Sequence, residues 1–209
     1  MLMRRRPYVV YFFLLLNVFV FLLWASATQS RQLDFMAENF LVSWTALQEH
    51  RPWVLITAAF SHNLVWHLLL NMLVLNSFGP LMELQLGSRR FFIFYMVAAV
   101  LSSLSHALLS NYVLHAPDMP ALGASGALSG VIMLFALMFP RQILLLFYII
   151  PLPAIFGALA FVALDLWGLS AQAHGGGLPI GHGAHLGGAL TGAIFYVLFW
   201  RRPLRNRVF

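Results

Sequence analysis

Ser125 lies in the string Gly123-Ala124-Ser125-Gly126 at the mouth of an apolar run. Sixty positions later His185 opens a second apolar run, in Gly183-Ala184-His185-Leu186-Gly187-Gly188. A serine hydroxyl is a weak nucleophile until a base takes its proton, and histidine is the side chain most often used for that. Glycines at 123 and 126 allow a tight turn and close approach of a substrate. Backbone amides at a helix start favour a developing oxyanion. His67 and Asn71 stand four residues apart, so they share a helix face, and both can donate hydrogen bonds beside the Ser125 amide. Each feature has a plainer reading. Gly126 and Gly130 form a G-x-x-x-G packing pair, Gly188 and Gly192 give span six a small face, and His67 with Asn71 could simply join helices. A close crossing on the glycines would itself carry His185 to Ser125.

The elements that must position these residues are membrane spans. The chain of 209 residues is 61% hydrophobic and 9% charged, against about 25% charged in a soluble domain. Six spans are expected, at about 8–27, 65–82, 91–109, 125–139, 153–169 and 184–200. The basic start followed by about 20 apolar residues reads as a span rather than a cleavable signal. With no cysteine there is no disulfide framework or thiolate chemistry. The net charge of +6 comes from arginines beside spans, which argues against a nucleic-acid partner. Arg4, Arg5, Arg6, Arg89, Arg90, Arg141, Arg201, Arg202, Arg205 and Arg207 fall on one side, and only Arg31 and Arg51 on the other. The positive-inside rule then predicts cytoplasmic N- and C-termini, and short tails with that bias suggest a bacterial inner membrane.

Two stretches have unusual geometry. Residues 28–64 form a long outward loop in which Phe35, Met36, Phe40, Leu41, Trp44 and Leu47 recur at roughly helical spacing, predicting helix lying in the interface. Span four cannot begin much before Leu122, because Pro117, Pro120 and Gly123 disfavour helix. At about 1.5 Å per residue it falls short of a hydrocarbon core about 30 Å thick. Ser125 should therefore lie below the membrane surface, in a hollow that water can reach.

Other polar residues take structural readings. Glu83, near Gly79, Pro80 and Gly87, reads as a helix-end contact. Asp165 could orient His185, but the outer end of span five is a place where an acid stays exposed, and that reading is preferred. His62 reads as a loop hydrogen-bonder, and His106 and His115 carry no signal. His174 and His182, in the glycine-rich fifth loop (170–183), are a denser histidine set than a serine mechanism requires.

Taken together these motifs resemble the rhomboid family of intramembrane serine proteases. The resemblance runs through Arg51-Pro52-Trp53, Thr57, His62, His67-x-x-x-Asn71, Gly79, Glu83, Gly87, Tyr95, the G-x-S-G string at 123–126 and the A-H-x-G-G string at 184–188. It implies an all-α, six-helix rhomboid bundle with a long interfacial first loop, forming a single membrane domain over 1–209 with its core at about 51–200. It implies a Ser125–His185 dyad needing no acid. The oxyanion hole would be His67, Asn71 and the Ser125 amide, with Gly123, Gly126 and Gly188 as supports. It implies no metal or other cofactor. Substrates would be single-pass transmembrane proteins, cut within the lipid bilayer near its extracytoplasmic side. Favoured sites would have a small residue before the cut and helix-weakening residues below it. Span five would be the lateral gate and residues 170–183 the cap. Many relatives carry arginine directly after the loop-one tryptophan; here Val54 follows Trp53 and Arg51 precedes it.

Three other readings compete. His174, His182 and His185 could hold zinc, but there is no H-E-x-x-H string and no carboxylate in that loop. A catalytically inactive rhomboid-like protein that binds membrane clients would typically lack the serine or the histidine. A transporter would fit broken helices but should show internal duplication. An aspartic mechanism fails because Asp165 has no intramembrane carboxylate partner.

Overall fold

The computed structural model describes residues 6–146 and 150–200. The protein is an all-α membrane bundle. Its helices are α1 (Tyr8–Ser26), α2 (Ser30–Phe40), α3 (Trp44–Gln48), α4 (Val54–Thr57), α5 (Val65–Leu86), α6 (Ser88–Tyr112), α7 (Ser125–Met138), α8 (Ala154–Ala173) and α9 (His182–Phe195). A π-helical turn, Tyr196–Trp200, extends α9. Among the described residues, α1, α5, α6, α8 and α9 with its extension are long and apolar enough to cross a membrane, while α7 is shorter. Arg4, Arg5, Arg201, Arg202, Arg205 and Arg207, on which the expected orientation of the termini leaned, lie outside the described residues.

The bundle is apolar on its outside as well as within. Trp66 on α5 is 76% exposed and Trp167 on α8 is 70% exposed. In water such surfaces would drive association; in lipid they are the solvated face. Inside, α6, α7 and α9 pack through small residues. A methyl on Gly126 would meet Ser102 Oγ, and one on Gly187 would meet Ser105. Glu83 is buried and structural: its carboxylate accepts the amides of Val9 at 3.1 Å and Val10 at 2.9 Å, and the Ser88 hydroxyl at 2.6 Å. It thereby satisfies the free amides at the start of α1.

The first loop is helical, as its spacing predicted, but in pieces: α2, α3, α4 and a 3-10 turn at Ala58–Phe60. It breaks at Val42, whose backbone pairs with Ala121 in both directions, at 2.9 and 2.8 Å. Arg51 anchors this loop from before Trp53, donating to the Glu38 carbonyl at 2.8 Å and pairing with Glu49. The connection after α7 carries a hairpin. Strand β1 (Ile143–Leu146) pairs antiparallel with β2 (Ile150–Pro153). Short apolar runs do not announce strand over helix, and here Pro151 and Pro153 rule out helix. This hairpin follows the C-terminal end of α7, away from Ser125.

Candidate active site

Ser125 is the first residue of α7. With 14 residues, α7 is about 21 Å long at 1.5 Å per residue, shorter than a hydrocarbon core of about 30 Å. Ala124 at its N-cap offers no side-chain acceptor, so the first amides of the helix remain available to an anion. Gly123 has φ +115°, and a Cβ there would lie 2.6 Å from Cε1 of His67, so glycine is required twice over. The turn is held by two further bonds. Gly123 donates its amide to the Ala58 carbonyl at 2.8 Å, and Ala124 donates to His62 Nε2 at 3.4 Å. His62 is fully buried. Its pKa is lowered from 6.5 to about 3, chiefly by burial and to a lesser extent by neighbouring His67, against a backbone contact at Phe60 that raises it. A neutral ring is what lets Nε2 accept from Ala124. His62 is thus the loop hydrogen-bonder the sequence suggested.

The second half of the site comes from the crossing of α7 and α9. A methyl on Gly188 would collide with the Gly126 carbonyl oxygen, and one on Gly192 with the Gly130 carbonyl. The two glycine pairs let backbone meet backbone, as their spacing predicted. At the top of this crossing His185 Nε2 lies 2.8 Å from Ser125 Oγ. The histidine is buried, whereas the serine is partly exposed. His67 lies over Gly123, with its Nε2 2.8 Å from the place a Cβ would take. Asn71, one turn further along α5, donates one amide hydrogen to the His67 carbonyl at 2.9 Å, which leaves its second hydrogen for another acceptor. Ser125, His185 and His67 are therefore gathered at one end of the bundle, with Asn71 just inside. An apolar cavity of about 280 Å³ between α1, α4 and α6, lined by Phe12, Phe13, Phe60 and Phe92 among others, contains none of these residues.

The reading of Asp165 as an exposed acid is wrong. It is 4% exposed, and its Oδ1 lies 3.0 Å from His185 Nδ1 and 2.7 Å from His182 Nδ1. Helix α9 begins at His182, and spacing i, i+3 puts both rings on its α8-facing side. His174 stands apart from this cluster and contacts the Ser170 carbonyl at 2.7 Å. His106, which carried no sequence signal, is buried and ties α6 to the loop before Ser125, through the Met119 carbonyl at 3.1 Å.

The family model described as Rhomboid domain matches residues 49–202. The chain belongs to the rhomboid family. It is 37% identical over 190 residues to "Rhomboid protein 1, mitochondrial" of Saccharomyces cerevisiae, covering 89% of this chain and 51% of that protein. It is 30% identical over 203 residues to "RHOMBOID-like protein 12, mitochondrial" of Arabidopsis thaliana, covering 91% and 57%. To "Rhomboid protease GluP" of Bacillus subtilis it is 28% identical over 125 residues, covering 60% and 23%. The chain spans about half the length of the mitochondrial relatives it matches. These relatives overturn the expected bacterial inner membrane: the rhomboids aligned over 89% or more of this chain are named as mitochondrial. The arginine bias reports orientation across a membrane, not which membrane it is.

Proposed function

We infer that this rhomboid is an intramembrane serine endopeptidase of one membrane domain, acting on single-pass transmembrane proteins. The observation that carries the reading is the 2.8 Å contact of His185 Nε2 with Ser125 Oγ at the uncapped start of the short helix α7. His185 takes the serine proton as Oγ attacks the scissile carbonyl carbon, and the carbonyl electron pair moves onto oxygen. The Ser125 amide, Asn71 and His67 receive that oxyanion. Collapse breaks the C–N bond, and the amine leaves with the proton from His185. Water, activated by the same histidine, then hydrolyses the acyl-serine. A helical substrate must unwind locally to offer its amide, which suits helix-weakening residues near the cut. The names of the relatives supply a mitochondrial membrane as the setting. The cut would lie toward the side opposite Arg89, Arg90 and Arg141.

The test is reconstitution of the purified protein in liposomes with a tagged single-pass substrate, with and without EDTA, beside Ser125→Ala. Chelator-insensitive cleavage that vanishes in the variant is expected. Cleavage surviving in Ser125→Ala would overturn the nucleophile. If no substrate is cut, fluorophosphonate labelling of the wild type but not of Ser125→Ala still identifies the nucleophile. Absence of labelling in both would favour a client-binding protein without activity.

A further inference from the structure

Helix α8 presents a shaped face to α9. Asp165 contacts both histidines through one oxygen. Phe161, one turn earlier, lies with its ring centroid 5.3 Å from that of His185. Gly168, one turn later, lacks the Cβ that would run into the His182 ring. Successive turns of α8 thus offer a ring contact, a carboxylate and a gap. A carboxylate buried at this depth is costly unless paired, and in a membrane protein it marks function more often than packing.

We propose that Asp165 is the positioning residue of a Ser125–His185–Asp165 triad, held in place by a second donor, His182. The proposal rests on the serine-protease reading above and deepens it. A carboxylate only accepts hydrogen bonds, so each Nδ1 must carry the hydrogen it shares with Asp165. That fixes His185 in the tautomer whose Nε2 has a lone pair, and this is the nitrogen 2.8 Å from Ser125 Oγ. When the serine proton moves to Nε2 and Oγ bonds to the carbonyl carbon, His185 becomes a buried cation. Its Nδ1–H already faces the carboxylate, so the attraction grows as the transition state is reached; Asp165 keeps its charge and takes no proton. His182 donates at 2.7 Å to the same oxygen and keeps it aimed.

The same three side chains offer metal-ligand atoms within 4.8 Å of one another. A tetrahedral ion with bonds of about 2.0–2.1 Å would hold its ligand atoms roughly 3.3 Å apart. The observed 2.7 and 3.0 Å are hydrogen-bond lengths instead.

The test begins with the wild-type chain, labelled with ¹⁵N-histidine in lipid nanodiscs, the His185 signals being assigned by their loss in His185→Ala. His185 protonated at Nδ1 and bare at Nε2 is expected; the opposite tautomer would overturn the proposal without any Asp165 variant. Asp165→Asn keeps the shape and removes the charge. Its kcat should fall about 10²- to 10⁴-fold with KM and Tm near wild type, and His185 should lose its single tautomer. A kcat within about threefold of wild type would refute the proposal. Histidine shifts that change on adding EDTA would replace the triad by a metal site. Fluorophosphonate labelling of wild-type Ser125 checks the underlying reading separately. Labelling with the wrong His185 tautomer sinks the triad alone, whereas no labelling sinks both.

Discussion

The contact between His185 and Ser125 rests on two backbones touching, so one methyl group in the wrong place should break it. In Gly188→Ala the new Cβ would lie 2.8 Å from the Gly126 carbonyl carbon and closer still to its oxygen. Ordinary contact begins at 3.4 Å, so α9 must withdraw from α7 by at least about 0.6 Å. Neither partner is the end of a flexible side chain, so the helices themselves must move. Transmitted to the site one turn away, that shift stretches the 2.8 Å contact between His185 and Ser125 to about 3.4 Å or more, at the weak limit of a hydrogen bond. Misplacement of this order costs about 10²-fold in rate, and backbone overpacking costs about 1–3 kcal/mol in stability. Gly130→Ala should be milder, since its Cβ would stand 2.9 Å from the Gly188 carbonyl oxygen. Gly157→Ala on α8 is the control: its Cβ meets Leu152 Cδ2 at an ordinary 3.5 Å. Cleavage rates in liposomes, fluorophosphonate labelling and Tm for the three variants give the ranking. Gly188→Ala cleaving within about threefold of Gly157→Ala would show that the crossing does not set the distance from His185 to Ser125 on which the proposed activity depends.

Asn71→Ala removes a single side-chain donor, so kcat should fall by at most about 10²–10³-fold while Ser125 still labels; a loss as deep as in Ser125→Ala would mean that Asn71 holds the fold instead. For His62 the folded pKa of about 3 lies below its ordinary 6.5, so the unfolded chain binds more protons between these values. The stability His62 confers is full above pH 6.5 and is lost as pH falls toward 3, by up to about 1.4 kcal/mol per pH unit. Tm measured across that window should fall less steeply in His62→Gln than in wild type, and parallel curves would refute the assignment.

Much of the site was legible because the relevant signals are local. Gly126, Gly130, Gly188 and Gly192 announce a close crossing by their spacing alone, and the crossing is where the structure places them. Pro117, Pro120 and Gly123 mark the late start of α7. The loop elements were less legible. Breaking residues 28–64 into three helices depends on Val42 meeting Ala121, which is 79 positions away. His106 is silent in the sequence because its partner, the Met119 carbonyl, is a backbone atom that no residue type reveals.

Asp165 shows why the last part was hidden. On a helix of mostly apolar residues, a single acid near one end is read most simply as solvated, and nothing nearby in the chain contradicts that. Its neighbours along α8 have opposite fates: Leu164, Leu166 and Trp167 are exposed to lipid, while Asp165 and Gly168 are buried. Only rotation of α8 about its axis decides which of the two faces Asp165 joins. That rotation is fixed by packing against α9, through the contact of Phe161 with His185 and the space left by Gly168 for His182. The informative pattern in the sequence was therefore not the acid but the triplet Phe161, Asp165 and Gly168 at helical spacing, set against two histidines three residues apart.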